Sequence, residues 1–347
     1  MTQNKVVARR MRRFFQQLPP GLDPSTVAAE YGRHLWDSGA HSLVDEKKLS
    51  RSRFYVGLSV EDTSLAEFTK RTALISDTLL LSHDRHGEFR ELDSYASHAI
   101  GFDMTHVHSS TVRDPFTLRY GMHCPSLEVL GRWILDAEPL LKAGLVWYLP
   151  SYSTITRNSP GPPQPLDAID YLIRDGRVID ASGGEPVKGR LVRPICQMDL
   201  PFIDGVDLAD FSRITIDELD SYSAFRDFLR LSLLNIDDAL NETQSDRELV
   251  KIGLEIAGQV RSVRSEMKRA KGRRAVAASG AVVASVSATL VAVYGPALQW
   301  VVGVIGGATP GLWGLLQARE ENSTRPLRED KWYYVWALSK KSNRSLL

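Results

Sequence analysis

The amino-acid sequence predicts an α+β protein: an α/β domain in the first half, followed by a helical C-terminal domain that includes an apolar helical hairpin. Three observations predict it. Short apolar runs alternate with amphipathic helical stretches over roughly the first 150 residues, helical periodicity dominates after Thr215, and the 44 residues from Ala275 to Ala318 carry no charge. With 347 residues, 43% of them hydrophobic and 24% charged, the chain has material for roughly two domains with real cores. Disordered, collagen-like and disulfide-scaffold classes are excluded by the same figures.

The first helix is expected over Lys5 to Gln17, stopping before Pro19 and Pro20. Asp23 is placed to cap a second helix with Pro24 at its first position, and Val27, Tyr31, His34 and Leu35 fall near one face. Ser64 and Glu67 have capping-box spacing for a short helix that leads into an apolar run, Ala73 to Leu81, read as a strand. His83 to Gly87 then reads as a turn. Ser126 caps a helix whose Leu127, Leu130, Ile134, Leu135 and Leu141 form an apolar stripe ending at Gly144, and Leu145 to Leu149 follows as a buried strand. Pro160, Pro162, Pro163 and Pro165 around Gly161 mark a stiff linker or long loop.

Residues 166–214 read as a short helix mixed with extended segments, the clearest being Arg190 to Ile195. Turn signals stand at Asp175-Gly176, Gly183-Gly184 and Asp204-Gly205. Thr215 with Glu218 forms another capping-box pattern ahead of Leu219, Tyr222, Phe225, Leu229, Leu233, Ile236 and Leu240. A third, Ser245 with Glu248, opens a long helix to about Ala270 through Leu249, Ile252, Ile256, Val260, Val263 and Met267. The two stripes are expected to pair antiparallel. The resulting organisation is an α/β domain with a basic N-terminal helix (1–157), a linker and mixed extended segment (158–214), a long helical pair (215–274), the apolar hairpin (275–318) and a basic aromatic segment (319–347).

The net charge of +1 hides opposed regions. Residues 1–13 carry +5, residues 261–274 carry +6 and residues 319–347 carry +3, which leaves −13 on residues 14–260. Such asymmetry points to contact with an anionic surface, either a membrane, which is favoured, or nucleic acid. A bilayer-spanning helix needs roughly 20 apolar residues, so 275–318 has room for two, with a turn at Gly295-Pro296. Gly303 with Gly307 and Ala277 with Ala281 would let the two spans approach closely. Arg261, Arg264, Lys268, Arg269, Lys271, Arg273 and Arg274 are the expected contacts with anionic headgroups, and Trp332, Tyr333 and Trp336 the interfacial aromatics, with Tyr334 among them. The competing reading buries the hairpin in a soluble bundle and packs Trp332 to Leu338 on the core: Ala, Val, Ser and Gly are weakly hydrophobic, and Thr309-Pro310-Gly311 interrupts the return limb. The first residues lack the apolar run of a secretory signal, so export by that route is not expected. Cys124 and Cys196, with no C-x-x-C spacing, fit a reducing compartment and offer neither a disulfide framework nor a zinc ribbon.

All eight histidines lie in the first 123 residues. Asp103, His106 and His108 form D-x-x-H-x-H, and His83, Asp84 and His86 form H-D-x-H, so two loops could converge on zinc or a similar divalent metal; hydrogen-bonded loop histidines are the plainer account. No serine-hydrolase elbow, phosphate-binding P-loop or dinucleotide fingerprint occurs. Glu185 to Lys188 reads as a solvated turn, and Asp77, on an apolar run, as an edge-strand carboxylate facing water. In the first helix, five cations with Phe14 and Phe15 suit phosphate contact with stacking or an anionic lipid surface, but a solvated basic face over an inward Val6, Val7, Met11 and Phe14 is the plainer account.

Glu138 to Val146, ahead of Pro150, and Leu200 to Gly205, followed by Asp207 to Glu218, resemble segments of actinobacterial and prophage-type proteins that carry an Ala/Gly-rich apolar hairpin and an aromatic C-terminal segment. That resemblance covers about a third of the chain. It implies an α/β front, a helical back and a phage-defence or mobile-element setting, and it supplies no catalytic residues. The sequence thus reads as a non-catalytic binding or sensor protein, its domains cytoplasmic and its hairpin in a membrane, with no cofactor required. The alternatives are a soluble cytoplasmic metal-dependent hydrolase or nuclease using Asp103, His106 and His108, and a soluble interaction protein whose hairpin is core.

Overall fold

A computed structural model describes residues 4–37, 54–61, 64–83, 88–96, 117–156, 159–160, 168–181, 186–236, 247–259, 261–263, 265 and 330–342. Helix α1 (Lys5–Gln17) starts where the Asn4 side chain accepts the backbone N–H groups of Val6 and Val7, at 3.2 and 3.1 Å. It ends at Leu18, before the two prolines. Val7, Met11 and Phe14 recur at helical spacing and are buried; Val6 is instead 45% exposed. Helix α2 (Pro24–Asp37) is capped by Asp23, which accepts both the Thr26 amide and hydroxyl.

Two sheets follow. In the first, β1 (Tyr55–Val60), β2 (Thr78–Ser82), β5 (Val146–Tyr148) and β8 (Tyr171–Arg174) are parallel, and β9 (Arg177–Asp180) adds an antiparallel edge. The order β5-β2-β1-β8-β9 puts the first strand inside the sheet. β1 and β2 are buried along their whole length, as strands covered on both faces must be. The β8–β9 turn uses Asp175 and Gly176 at φ of 50° and 70°, the left-handed pair a two-residue hairpin requires.

The second sheet, β3 (Glu88–Ala96), β4 (Thr117–Cys124), β6 (Ser151–Thr156) and β7 (Ser159–Pro160), is antiparallel in the order β3-β4-β6-β7. β3 bulges between Glu91 and Asp93, and Arg33 donates two hydrogen bonds to the Leu92 carbonyl at the bulge. β2 and β5, neighbours in the first sheet, are followed in the chain by β3 and β6 of the second, so the second sheet starts from the carboxyl edge of the first.

The helices are α3 (Leu65–Ala73), α4 (Leu127–Asp136), α5 (Glu138–Ala143), α6 (Pro186–Gln197), α7 (Pro201–Asp204), α8 (Leu208–Asp217), α9 (Leu219–Leu234), α10 (247–259) and α11 (Lys331–Ser339). α4 and α5 divide the single helix expected before Gly144, because Pro139 in the first turn of α5 cannot continue the hydrogen-bond ladder. One hydrophobic cluster runs from Val7 to Leu338 and includes both halves of the chain. β8 and β9 therefore join the first sheet across the boundary drawn at residues 157 and 158.

Four local expectations are corrected. The strand of Ala73 to Leu81 starts only at Thr78, since Ala73 ends α3 and Leu74 to Asp77 turn the chain. Arg190 to Ile195 is helical, within α6, where Leu191, Val192 and Ile195 are buried. Lys188 is not in a solvated turn: it is 1% exposed and pairs with Asp170 at 3.0 Å, while Asp170 also accepts the Gly57 N–H at 2.8 Å. Asp77 does not face water alone; Arg226 and Arg230 of α9 meet it at 3.1 and 3.0 Å. A fifth detail also differs. Thr215 lies inside α8 rather than at a cap, its hydroxyl donating to the Phe211 carbonyl.

α9 forms the seam of the helical part, with Tyr222, Phe225, Leu229 and Leu233 buried as the stripe requires. α11 packs on it: Trp332 meets Phe225 and Phe228, and Tyr334 meets Tyr222 at 5.3 Å. The Tyr334 amide donates to the Ser221 hydroxyl and that hydroxyl donates to the Asp330 carbonyl.

Candidate functional site at the carboxyl edge of the parallel sheet

Open parallel sheets bind ligands outside the carboxyl ends of their strands, at the point where chain order reverses. Here that point lies between β1 and β8. β1 continues to β2 on one side, and the chain returns to its other side with β8. Glu61, one residue beyond β1, donates its amide to the Ile173 carbonyl, and its carboxylate holds Arg174 at 2.7 Å through Nε and 2.6 Å through Nη2. A bidentate pair of this kind fixes both groups in one plane. Arg174 remains 48% exposed, so its guanidinium stays open to solvent at this edge.

Beside the pair lies a buried group of hydroxyls and imidazoles. Alternation along β1 and the register with β2 put Ser59 and Ser82 opposite each other on one face. Ser82 donates to the Leu149 carbonyl at 2.8 Å, whereas the Ser59 hydroxyl, 2% exposed, finds no hydrogen-bond partner among the described residues. His83 donates through Nδ1 to the Val60 carbonyl at 2.5 Å, which makes Nε2 the acceptor nitrogen of the neutral ring. The Ser151 hydroxyl donates to the His83 carbonyl, and His123 lies opposite Ser151 in the β4–β6 ladder. His123 Nε2 and the Ser153 hydroxyl are hydrogen-bonded at 2.8 Å, with the Phe89 ring 5.5 Å from the imidazole. A serine and histidine so joined resemble an activated nucleophile and its base, yet each is under a tenth exposed, so neither is presented to a substrate.

The sequence singled out His83 only as part of H-D-x-H. It had no signal for Ser59, Glu61, Ser82 or Arg174; the one legible cue was the alternation of Ser151 and Ser153, which puts both on the face of His123. The two histidine motifs start from opposite ends of β3. His83 precedes that strand, and the stretch holding Asp103, His106 and His108 follows it, so about 26 Å separates their anchor points along nine residues. Asp84, His86, Asp103, His106 and His108 lie outside the described residues, as do His41 and His98. Among the described residues no three His, Cys, Asp or Glu side chains gather into a metal-ligand set.

Of the expected surface contacts, Arg261 is exposed, while Arg264, Lys268, Arg269, Lys271, Arg273 and Arg274 lie outside the described residues. Trp332, Tyr333 and Trp336 are not displayed as an aromatic belt. They are 7%, 8% and 6% exposed, because α11 presses them against the protein. Residues 275–318 are outside the described residues, and among those described no helix is long and apolar enough to cross a membrane.

Fold and site together define an α+β protein with an open parallel sheet, a polar carboxyl edge and a helical C-terminal part. No protein-family model matches the chain, and neither a curated protein nor a solved structure matches it.

Proposed function

We propose that this is a non-catalytic binding or sensor protein that works at a membrane: the α/β body takes a small polar ligand at its carboxyl edge, and the 275–318 stretch anchors it as a two-span hairpin. One observation carries the anchoring. Val263, on the helical stretch before the apolar residues, packs against Tyr333 and Trp336, on the helix after them. Val263 and α11 thus lie side by side, which fits a stretch that crosses a membrane and returns. The partly exposed Arg174, fixed by Glu61 just beyond β1, supports a polar ligand at the switch point. Fractionation of cells expressing the full chain, followed by alkaline carbonate extraction, tests the anchor. Retention in the pellet is expected, and release of lipid-free protein into the supernatant would remove the reading.

A second reading keeps one supporting observation. Ala96 pairs with Thr117, so the connection carrying Asp103, His106 and His108 is closed at its base by the β3–β4 ladder, as a metal-holding loop would need. Metal analysis of the purified protein beside a His106→Ala, His108→Ala variant decides it, bound metal lost in the variant being the supporting result.

A further inference from the structure

The exposed side of α1 is a line of cations. Lys5, Arg9, Arg12 and Arg13 recur at helical spacing, all four are exposed, and residues 1–13 contain no acidic side chain. No ion pair among the described residues neutralises Lys5, Arg9 or Arg13. The neighbouring carboxylate on α5, Glu138, is taken by Lys142, whose ammonium also stands over the Phe15 ring at 5.2 Å. Arg12 lends its Nε–H to the Lys142 carbonyl at 3.0 Å, and this fastens α1 to α5 with the charge still outward.

What the stripe can hold follows from what the rest of the helix is doing. Val7, Met11 and Phe14 are in the core, so α1 cannot turn an apolar face into a bilayer in the manner of an inserting amphipathic helix. Phe14 is 3% exposed and Phe15 is covered by Lys142, so no ring is free to stack on a base, which removes the usual second component of single-strand nucleic-acid binding. What is left is a short row of point charges along an open concave face, suited to anionic headgroups. The second basic region, at 261–274, flanks the proposed anchor.

We infer that α1 is an electrostatic docking surface for anionic lipid headgroups, which lays the α/β body against the membrane that holds the hairpin. The inference rests on the membrane reading for its setting, but its contacts belong to α1 alone. Such binding is charge-driven and not inserted, so it falls steeply as salt shortens the Debye length.

The test uses the full-length protein with Gln16→Cys, an exposed position at the end of the stripe. Cys124 is buried, and burial pushes the Cys196 thiol to about 12, so the added thiol labels selectively. Energy transfer from the label to a lipid-borne acceptor is measured in vesicles of phosphatidylcholine alone and with 30% phosphatidylserine. Transfer is expected to be higher with phosphatidylserine and to fall to the phosphatidylcholine level in 0.5 M NaCl. Lys5→Gln, Arg9→Gln and Arg13→Gln together are expected to weaken the docking about a hundredfold, since each basic residue near an anionic surface contributes roughly fivefold. Transfer independent of lipid charge, or unchanged in the triple variant, would overturn the inference; so would duplex DNA that displaces the label from the vesicles at equal phosphate. Carbonate extraction of the same samples reads the hairpin separately. Extractable protein that still docks through α1 fails the anchor alone, and anchored protein without charge-dependent transfer fails the docking alone.

Discussion

Removing the Asp77 carboxylate should loosen the attachment of α9 to the parallel sheet. Its Oδ1 atom meets Nη1 of Arg226 at 3.1 Å and Nη2 of Arg230 at 3.0 Å, and the two arginine side chains are only 5% and 7% exposed. The same face of α9 closes the end of α3: Tyr222 donates to the Ala73 carbonyl at 2.6 Å and Arg230 to the Ile75 carbonyl at 2.7 Å. Donors and cations are favoured there, because the last carbonyls of a helix have no partners of their own. Breaking a buried ion pair from one side costs about 3–5 kcal/mol. The residual contacts are unequal. Arg230 keeps the Ile75 carbonyl, the exposed Asp227 carboxylate at 3.4 Å and the Phe54 ring at 3.8 Å, whereas Arg226 keeps the Ser76 carbonyl at 3.4 Å, Asp227 only at 3.7 Å and the Tyr222 ring at 5.6 Å. Asp77→Ala is therefore expected to cost about 3 kcal/mol, near the lower end of that range, and Asp77→Asn, which keeps an acceptor oxygen, about 2 kcal/mol. Denaturant unfolding followed by near-ultraviolet circular dichroism measures both. A double-mutant cycle should couple Asp77 more strongly to Arg226 than to Arg230. A loss below about 1 kcal/mol for Asp77→Ala, or the reverse order of coupling, would refute the reasoning.

Other outcomes can be stated briefly. Lys188→Met should destabilise the protein by about 3–5 kcal/mol, because the buried Asp170 carboxylate loses its cation, and adding Asp170→Asn should recover part of that loss in the same unfolding assay. Gly131→Ala should cost about 3 kcal/mol, since a Cβ there collides with the Pro24 carbonyl where α4 crosses α2, whereas Gly258→Ala, with open space around it in α10, should gain about 0.5–1 kcal/mol. His34 has its pKa lowered by burial first and then by Arg10 and Arg13. The unfolded chain therefore binds a proton that the folded chain refuses. The stability this contributes is present above the unfolded value of about 6.5 and is lost as the pH falls below it; in His34→Gln the slope of unfolding free energy between about pH 5 and 7 should flatten.

The elements legible in the sequence were those set by short-range chemistry. Asp23 and Ser126 cap helices as side-chain acceptors, and Gly144 ends α5 at φ of 73°. The stripe of Tyr222, Phe225, Leu229 and Leu233 gave the face that α9 buries. What was not legible depended on partners far along the chain. Asp77 looked like an edge charge because its arginines lie about 150 residues later, and Lys188 looked solvated because nothing near it announces Asp170 as a buried partner. α6 was masked by Val192, Pro194 and Ile195, residues that favour extended chain; burial of Leu191, Val192 and Ile195 overrides that preference. The carboxyl-edge site was hidden for the same reason. Glu61 and Arg174, and His123 with Ser153, become neighbours only through strand order and register.

Two membrane spans over 275–318 would leave both ends of the apolar stretch on one side of the membrane. Labelling with a membrane-impermeant maleimide in sealed cells tests it most directly, with a single added cysteine either at Gly295, in the turn read between the two spans, or at Asn322, beyond the second span. Position 295 is expected to label from outside, and position 322 only after lysis. Labelling of neither position before lysis, with the protein extracted by carbonate, would contradict it and make 275–318 part of a soluble core.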